Sequence, residues 1–288
     1  MERKLIVEFT KMNGAGNDFI VIDNRFYFFS DDELRALAQR RCARRLGIGA
    51  DGLLALVAAE ESDNHYRMVY YNADGSRATM CGNAARCLAR FARFAGIDAP
   101  TLRFESDAGV YGAQVPEDPS APVRIFVQPP EDFRPQHDLT GAGEGLPDEV
   151  AYIWTGTEHV VHFVDDPQAT PLEELGPAIR HDASLQPVGA NVNVVKIAEQ
   201  GDDTKRAELH VRTFEKGVEG ETLACGTGAL AAAIVAALAG RTKAAETDVQ
   251  MTGGTLTVGF QRNCEAVSDV FLEGPTETVY RGSFEWNP

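Results

Sequence analysis

Two short stretches, Met80-Cys81-Gly82-Asn83 and Leu223-Ala224-Cys225-Gly226-Thr227-Gly228, decide how the chain is read. Each cysteine follows a β-type run, is followed by glycine, and stands where a helical pattern begins. After the first come Ala84 to Ala95, with Leu88, Phe91 and Phe94 at helical spacing and Gly96 as a stop. After the second comes the apolar run Ala229 to Ala239, stopped by Gly240. Cys81 and Cys225 are 144 residues apart, half of the 288-residue chain. A duplicated unit gives this pattern. Two such units predict an α+β protein with a cleft between them.

The flanking segments read in the same terms. Lys4 to Thr10 is a strand, Asn13 to Asp18 a polar turn, and Phe19 to Asp23 a second strand. The turn Gly14-Ala15-Gly16 invites a dinucleotide-binding reading. That reading fails because a β-type run follows where the fingerprint needs a helix. Ser30-Asp31-Asp32-Glu33 is a capping box that opens a helix expected to end at Gly47. The basic cluster Arg40, Arg41, Arg44 and Arg45 is expected on that helix as a solvated face. Leu53 to Val57 and Tyr66 to Tyr71 read as strands, the latter closed by Asn72-Ala73-Asp74-Gly75. Leu102 to Phe104 and Val110 to Val115 form a hairpin around Asp107-Ala108-Gly109. Pro116 to Pro122 and Pro129-Pro130 place a domain border near residue 126. Beyond it Val160 to Val164, Val192 to Ile197, Glu208 to Phe214, Val258 to Phe260 and Val267 to Leu272 read as strands.

Composition narrows the function classes. Apolar residues make up 44% and charged residues 24%, which suits a globular protein with a full core. There are 27 basic against 43 acidic residues, a net charge of −16 that disfavours nucleic acid and anionic membrane as partners. No apolar run nears the roughly 18 residues of a membrane-spanning helix. Met1-Glu2-Arg3-Lys4-Leu5 shows no secretory pattern, so a cytoplasmic protein is expected. The five cysteines, Cys42, Cys81, Cys87, Cys225 and Cys264, include no Cys-x-x-Cys pair. A disulfide framework and a zinc ribbon are both disfavoured. His159 and His162 are an odd offset apart on a predicted strand and point to opposite faces, so no metal site is expected.

A cysteine at a helix N-terminus feels the positive end of the dipole and the unpaired N–H groups. Its pKa falls from about 8.5 to roughly 3.5–7.5, and the same N–H groups can cradle a carboxylate. Two such thiols facing one carbon can remove a proton from one face and return one to the other, inverting a stereocentre. A redox disulfide and covalent nucleophilic chemistry are the alternatives.

The sequence resembles the diaminopimelate epimerase family of the proline racemase-like superfamily. The matching stretches are Lys11 to Phe19 (KMNGAGNDF), Gly49-Ala50-Asp51-Gly52, Asn72-Ala73-Asp74-Gly75-Ser76, Cys81 to Cys87 (CGNAARC), Gly220 to Gly228 (GETLACGTG) and Leu272-Glu273-Gly274-Pro275. The resemblance implies a cofactor-independent epimerase that interconverts LL- and meso-diaminopimelate for lysine and cell-wall synthesis. It implies two pseudo-symmetric domains, each a curled, mainly antiparallel sheet around a central helix, with the active site between them. Their expected extents are 1–126 plus 275–288 and 127–274. It further implies a small amino-acid substrate, a homodimer, and no metal.

By the same resemblance Cys81 and Cys225 are the acid–base pair. Gly82, Asn83, Gly226 and Thr227 hold the reacting end. Asn17, Asn72, Asn191 and Glu215 match substrate contacts, and His159 matches a histidine near the cysteines. Taken singly, the asparagines read as turn residues, Glu215 as a surface acid and His159 as a strand residue. The chain departs from the family pattern at Asn13 and Ala15, at Thr157 where an asparagine is usual, and at Lys216 where an arginine is usual. It also carries one extra residue in the loop after Lys216. Thr157 and Lys216 fall on substrate-holding positions, and Lys216 lacks the bidentate fork of arginine. A cofactor-independent racemase of another amino acid, or a non-catalytic binding protein on the same fold, are the competing readings.

Overall fold

The computed structural model describes residues 4–142, 145–263 and 266–287. Met1–Arg3 and Cys264, both used above, lie outside the described residues. The chain divides into two compact units, Met1–Phe126 with Gly274–Pro288, and Val127–Glu273.

The first unit opens with β1 (Leu5–Gly14) and β2 (Asn17–Asp23), antiparallel, with Gly14 opposite Asn17. The turn is shorter than the sequence suggests: two residues, Ala15 at φ 56° and Gly16 at φ 88°. Positive φ at both central positions is the hairpin geometry that matches strand twist. The Gly-Ala-Gly segment is thus a hairpin tip, not a phosphate loop. A one-turn helix, α1 (Asn24–Tyr27), leads to α2 (Asp31–Arg41). Ser30 and Glu33 form the expected capping box. The helix ends at Arg41, well before Gly47, so Arg44 and Arg45 are not on it. Arg44 instead reaches Asp18 and Asp51, at 2.7 and 2.8 Å.

Then follow β3 (Gly52–Val57), β4 (Tyr66–Asn72), the short β5 (Arg77–Ala78) and α3 (Gly82–Phe94). The unit continues with β6 (Leu102–Ser106), β7 (Gly109–Gln114) and β8 (Val123–Phe126). β3 lies parallel to β2 and antiparallel to β4. β4 carries β5 at one end and β6, parallel, at the other. β7 and β8 follow antiparallel.

The second unit repeats this plan. Its elements are β9 (Glu131–Arg134), β10 (Ala151–Trp154), β11 (Glu158–Phe163), α4 (Leu172–Arg180), β12 (Asn191–Glu199), β13 (Ala207–Glu215), β14 (Gly220–Thr222), α5 (Gly226–Leu238), β15 (Glu246–Met251), β16 (Gly254–Asn263) and β17 (Ala266–Gly274). β11 and β12 are parallel, β12 and β13 antiparallel. β13 carries β14 at one end and β15, parallel, at the other. The last strand, β18 (Glu277–Trp286), pairs with β1 in the first unit as β9 pairs with β10 in the second. β9, β10, α4, β15 and β18 are elements the residue patterns alone leave undeclared.

Alternation puts one helix on each sheet face. In the first unit Ile20, Ile22, Leu53 and Tyr71 pack with Leu34 and Leu37 of α2. In the second, Val160, Val192, Val194 and Phe214 pack with Leu172 and Ile179 of α4. The opposite faces meet α3 and α5, each of 13 residues. α5 is buried almost throughout and carries no charged residue.

Gly176 shows how closely α4 is seated. A Cβ there would lie 2.5 Å from Cγ of Phe214, which is 2% exposed. Alanine is the better helix former by about 1 kcal/mol, but overpacking costs about 1–3 kcal/mol. Gly176→Ala is therefore expected to lower stability by up to about 2 kcal/mol, read from urea unfolding midpoints. A stabilised variant would show that α4 can shift away from β13.

Candidate active site

In the first unit Cys81 is the N-cap of α3, in extended backbone at φ −149°. The first intrahelical bond is Ala85 N–H to Cys81 O, at 2.9 Å. The N–H groups of Gly82, Asn83 and Ala84 thus have no acceptor within the helix. Cys81 Sγ lies 3.7 Å from Oδ1 of Asn17, which sits beside the hairpin tip. Asn17 is itself fixed, since its Nδ2 donates to Asp51 Oδ2 at 2.6 Å. The same oxygen accepts from Asp18 N–H at 3.0 Å. Asp18 is gripped by Lys11 at 2.6 Å and by Arg44. Burial works against ionisation of Asp18, but the hydrogen bonds from Arg44 and Lys11 win and hold its pKa at about 2. Asn72 turns to Ser76, with Nδ2 2.9 Å from Oγ. Asn83 is buried and accepts at Oδ1 from Arg86.

Gly14 explains how the helix comes so close to the hairpin. A Cβ there would stand 3.0 Å from Asn83 O and 3.1 Å from Cys87 Sγ.

In the second unit Cys225 is the N-cap of α5, and its Sγ accepts the Gly228 N–H at 3.3 Å. Thr227 Oγ1 lies 3.5 Å from the sulfur. Thr155 Oγ1 donates to Thr227 O, tying the helix start to the strand end. Gly228 is hard against the sheet: its Cβ would meet Asn193 Oδ1 at 2.6 Å and Thr213 Oγ1 at 3.1 Å. Thr213 donates to Asn193 Oδ1 at 2.9 Å, and Asn193 Nδ2 donates to Val160 O and lies 3.1 Å from His159 Nδ1. A buried polar chain thus runs from the first turn of α5 to His159.

His159 is fully buried, and burial pushes its pKa down to about 3, with the charge of Lys216 acting in the same direction. It is a neutral imidazole, accepting at Nδ1 from the Asn193 amide. His162 lies on the same strand at odd offset and faces Glu149 O.

A second cluster joins the substrate-holding candidates. Asn191 Nδ2 donates to Glu158 O, and Asn191 Oδ1 accepts from Lys216 N–H at 2.8 Å. Lys216 Nζ pairs with Glu158 Oε2, which also accepts from Thr157 Oγ1 at 3.0 Å. Burial opposes ionisation of Glu158, but the bond from Lys216 carries its pKa below the usual carboxylate range. Glu215 moves the other way: burial raises its pKa, only partly offset by the bond from Thr222 Oγ1 at 2.9 Å.

The strand registers make the two units directly comparable. His159 opposes Asn191 on β12 as Phe19 opposes Gly52 on β3. Phe214 opposes Val192 as Tyr71 opposes Leu53. Asn17 therefore corresponds to Thr157, and Asn72 to Glu215. The loop after Glu215 has one residue more than the loop after Asn72, and beyond it Cys81 corresponds to Cys225.

The sequence reading did not single out Lys11, Asp51, Arg44, Glu158, Asn193, Thr213 or Arg86. Asn193 had a usable signal, since it lies two residues from Asn191 and so on the same face. Glu158 had none beyond its place beside Thr157. Among the described residues no group of three or more His, Cys, Asp or Glu side chains could hold a metal ion, and no helix is long and apolar enough to cross a membrane. A cavity of about 380 Å³ in the second unit is lined by Phe163, Val235 and Arg241 among others, and none of the candidate residues lines it.

Comparison with known proteins follows this geometry. The family profile described as Diaminopimelate epimerase matches residues 9–128 and 151–279. A diaminopimelate epimerase from Chlorobaculum tepidum is 42% identical over 278 residues, covering 94% of this chain and 99% of that relative. One from Methanocella arvoryzae is 40% identical, covering 97% of each. Among solved structures, a PhzF-family phenazine biosynthesis protein of Bacillus anthracis superposes with TM-score 0.73 at 15% identity, covering 97% of this chain and 99% of its own. A hydroxyproline epimerase from Agrobacterium vitis gives TM-score 0.68 at 17% identity, covering 100% of this chain and 95% of its own. The two structural likenesses concern the fold, two pseudo-symmetric α+β domains.

The neutral His159 sets a pH dependence of stability. Its folded pKa lies below the unfolded one, so the unfolded chain binds the proton that the folded chain refuses. The contribution is complete above about 6.5 and is lost as pH falls toward about 3. Asp18 titrates lower, below about 3.8, and does not share the upper part of that window. Between pH 7 and 5 the wild type is expected to lose about 2 kcal/mol that His159→Gln does not lose, read as the slope of unfolding free energy against pH. Equal slopes in both proteins would show that the folded chain takes up the His159 proton as readily as the unfolded one.

Proposed function

Because this chain belongs to the diaminopimelate epimerase family, we propose that it interconverts LL- and meso-diaminopimelate by a cofactor-independent, two-cysteine mechanism. The observation that carries the reading is the repeated Cys-Gly helix start. Cys81 and Cys225 occupy corresponding positions of two units with one strand plan, each at the N-cap of a central helix. A binding protein needs no such thiol pair.

In this reading one cysteine, as thiolate, takes the α-proton, and the other, as thiol, protonates the opposite face of the same carbon. The α-carboxylate binds the N–H groups of Gly82, Asn83, Gly226 and Thr227, where the helix dipoles stabilise the negative charge that develops. Glu215 and neutral His159 stand near the α-amino group. Asn17, Asn72, Thr157, Asn191 and Lys216 hold the distal end. The ion pair between Lys216 and Glu158 supports a distal group that is itself a zwitterion, as the far end of diaminopimelate is. No pyridoxal group is required, because Lys11 and Lys216, the lysines nearest the motifs, are engaged by Asp18 and Glu158. The same reading includes a cytoplasmic homodimer, which light scattering checks against a chain mass of 31.2 kDa.

The first test is chiral chromatography with LL-diaminopimelate and a panel of other amino acids. Turnover of diaminopimelate above all others is expected; a preference for another amino acid moves the assignment to a related racemase, and no turnover of any favours a binding protein. Cys81→Ala and Cys225→Ala are each expected to abolish turnover while the melting transition survives, because alanine supplies neither acid nor base. Full activity in either variant would end the two-thiol mechanism.

The second test follows the proton. In deuterated water the delivering thiol has exchanged before substrate arrives. Early product should carry deuterium at the α-carbon, and recovered substrate almost none. Label entering substrate as fast as product at low conversion would rule out two bases on opposite faces.

A further inference from the structure

The central helix of the first unit holds a charge that the acid–base reading does not use. None of the Arg86 side chain is exposed. Its Nη2 donates to Asn83 Oδ1 at 2.7 Å, while Nε and Nη1, both buried, have no hydrogen-bond partner. A buried guanidinium with most of its donors unmatched is a costly arrangement unless an anion stands close by.

The groups that could supply that anion are few. The bond to Asn83 brings the Arg86 head back to the first turn of α3, beside the N-cap Cys81. Burial works against its charge, and only the thiols of Cys87 and Cys81 act to keep it. On the sheet, the face that meets α3 carries Asn17, Phe19, Leu54, Tyr66 and Tyr70, with Tyr111 beyond Phe104. Burial raises the pKa of both Tyr66 and Tyr111, so neither hydroxyl supplies an anion. Asp18 and Glu105 alternate to the other face. Asp18 is held there by Lys11 and Arg44, and Glu105 by the N–H groups of Glu60 and Glu61. Arg90, one turn further along the helix, is spent on Pro116 O and Ala121 O. Cys87 is fully buried, and burial pushes its thiol up to about 12, so it stays neutral. Cys81 is half-buried at the helix N-cap, where its sulfur can ionise.

We infer that Arg86 is the fixed counter-charge of a Cys81 thiolate, a positioning residue that makes Cys81 the resting base of the pair. The second unit has no such device. The residue corresponding to Arg86 is Leu230, and α5 carries no charge. Cys225 accepts the Gly228 N–H. Among the differences between the two central helices is this one buried cation, and in this inference it favours Cys81 as the thiol that gives up its proton first. Through its bond to Asn83 Oδ1, Arg86 also fixes the side chain of a residue whose backbone N–H is assigned to the carboxylate.

This inference rests on reading Cys81 as an acid–base group, but thiol ionisation can be measured without turnover, so the two fail separately. The experiment uses the full-length protein and iodoacetamide, with alkylation of each cysteine followed against pH by peptide mass spectrometry. In the wild type the Cys81 midpoint is expected below that of Cys225. In Arg86→Met, which keeps most of the volume and removes the charge, the Cys81 midpoint should rise by about one unit or more, slowing alkylation near neutrality about tenfold. The Cys225 midpoint should not move. Arg86→Lys should restore most of the shift, since it returns the charge without the fork. If Arg86→Met does not fold, Arg86→Gln, which can still donate to Asn83, carries the same comparison. An unmoved Cys81 midpoint, or an equal shift of both cysteines as a loosened fold would give, overturns the proposal.

Discussion

A helix cannot satisfy its own first N–H groups, and both central helices begin with that first turn pressed against a sheet. The strands beneath carry polar side chains at those places: Asn17, held by Asp51, near the start of α3, and Asn193 with Thr213 under the start of α5. Close approach is what makes the requirement severe, and glycine is what makes it feasible. Gly14 lets the hairpin pass Asn83 and Cys87, and Gly228 lets α5 settle on Asn193. The polar groups gathered there are the ones that surround each helix-start cysteine.

Because the two units solve the same problem on the same strand plan, their differences are informative. Phe19 in one register position becomes His159 in the other, and Leu54 becomes Asn193. The first unit thus has an apolar floor and a buried cation on its helix, the second a polar floor and a helix without charge. Asn72 and Glu215 differ in the same sense, an amide against a carboxyl that burial biases toward its neutral form. A duplicated frame has been filled with two unlike environments.

Much of this was legible in the residues. The capping box at Ser30, the two Cys-Gly helix starts and the alternating strands carry local signals that survive folding. The misses have physical reasons. The strand pattern of β1 runs on through Lys11 and Asn13, because a polar residue on one face of a strand needs only a partner there, and Lys11 has Asp18. α2 stops at Arg41 although the basic run continues, and Arg44 turns instead to Asp18 and Asp51. β18 could not be read as a first-unit strand from its residues, since pairing with β1 is a contact across nearly the whole chain. Glu158 was invisible for a similar reason: its partner Lys216 is remote in sequence, and only the register of β11, β12 and β13 brings them together.

The charge pattern completes the argument. The chain carries −16 overall, a field that repels anions at a distance. A ligand without net charge feels no such repulsion. Within each unit the ordinary charges cancel locally: Lys11 and Arg44 with Asp18 and Asp51 in the first, Lys216 with Glu158 in the second. Such pairs fix geometry while adding little net potential. What remains uncancelled is the partial charge at the two helix starts and the guanidinium of Arg86. These groups are rigid, being backbone or fully buried. A field that is already in place need not be reorganised when charge develops beside it.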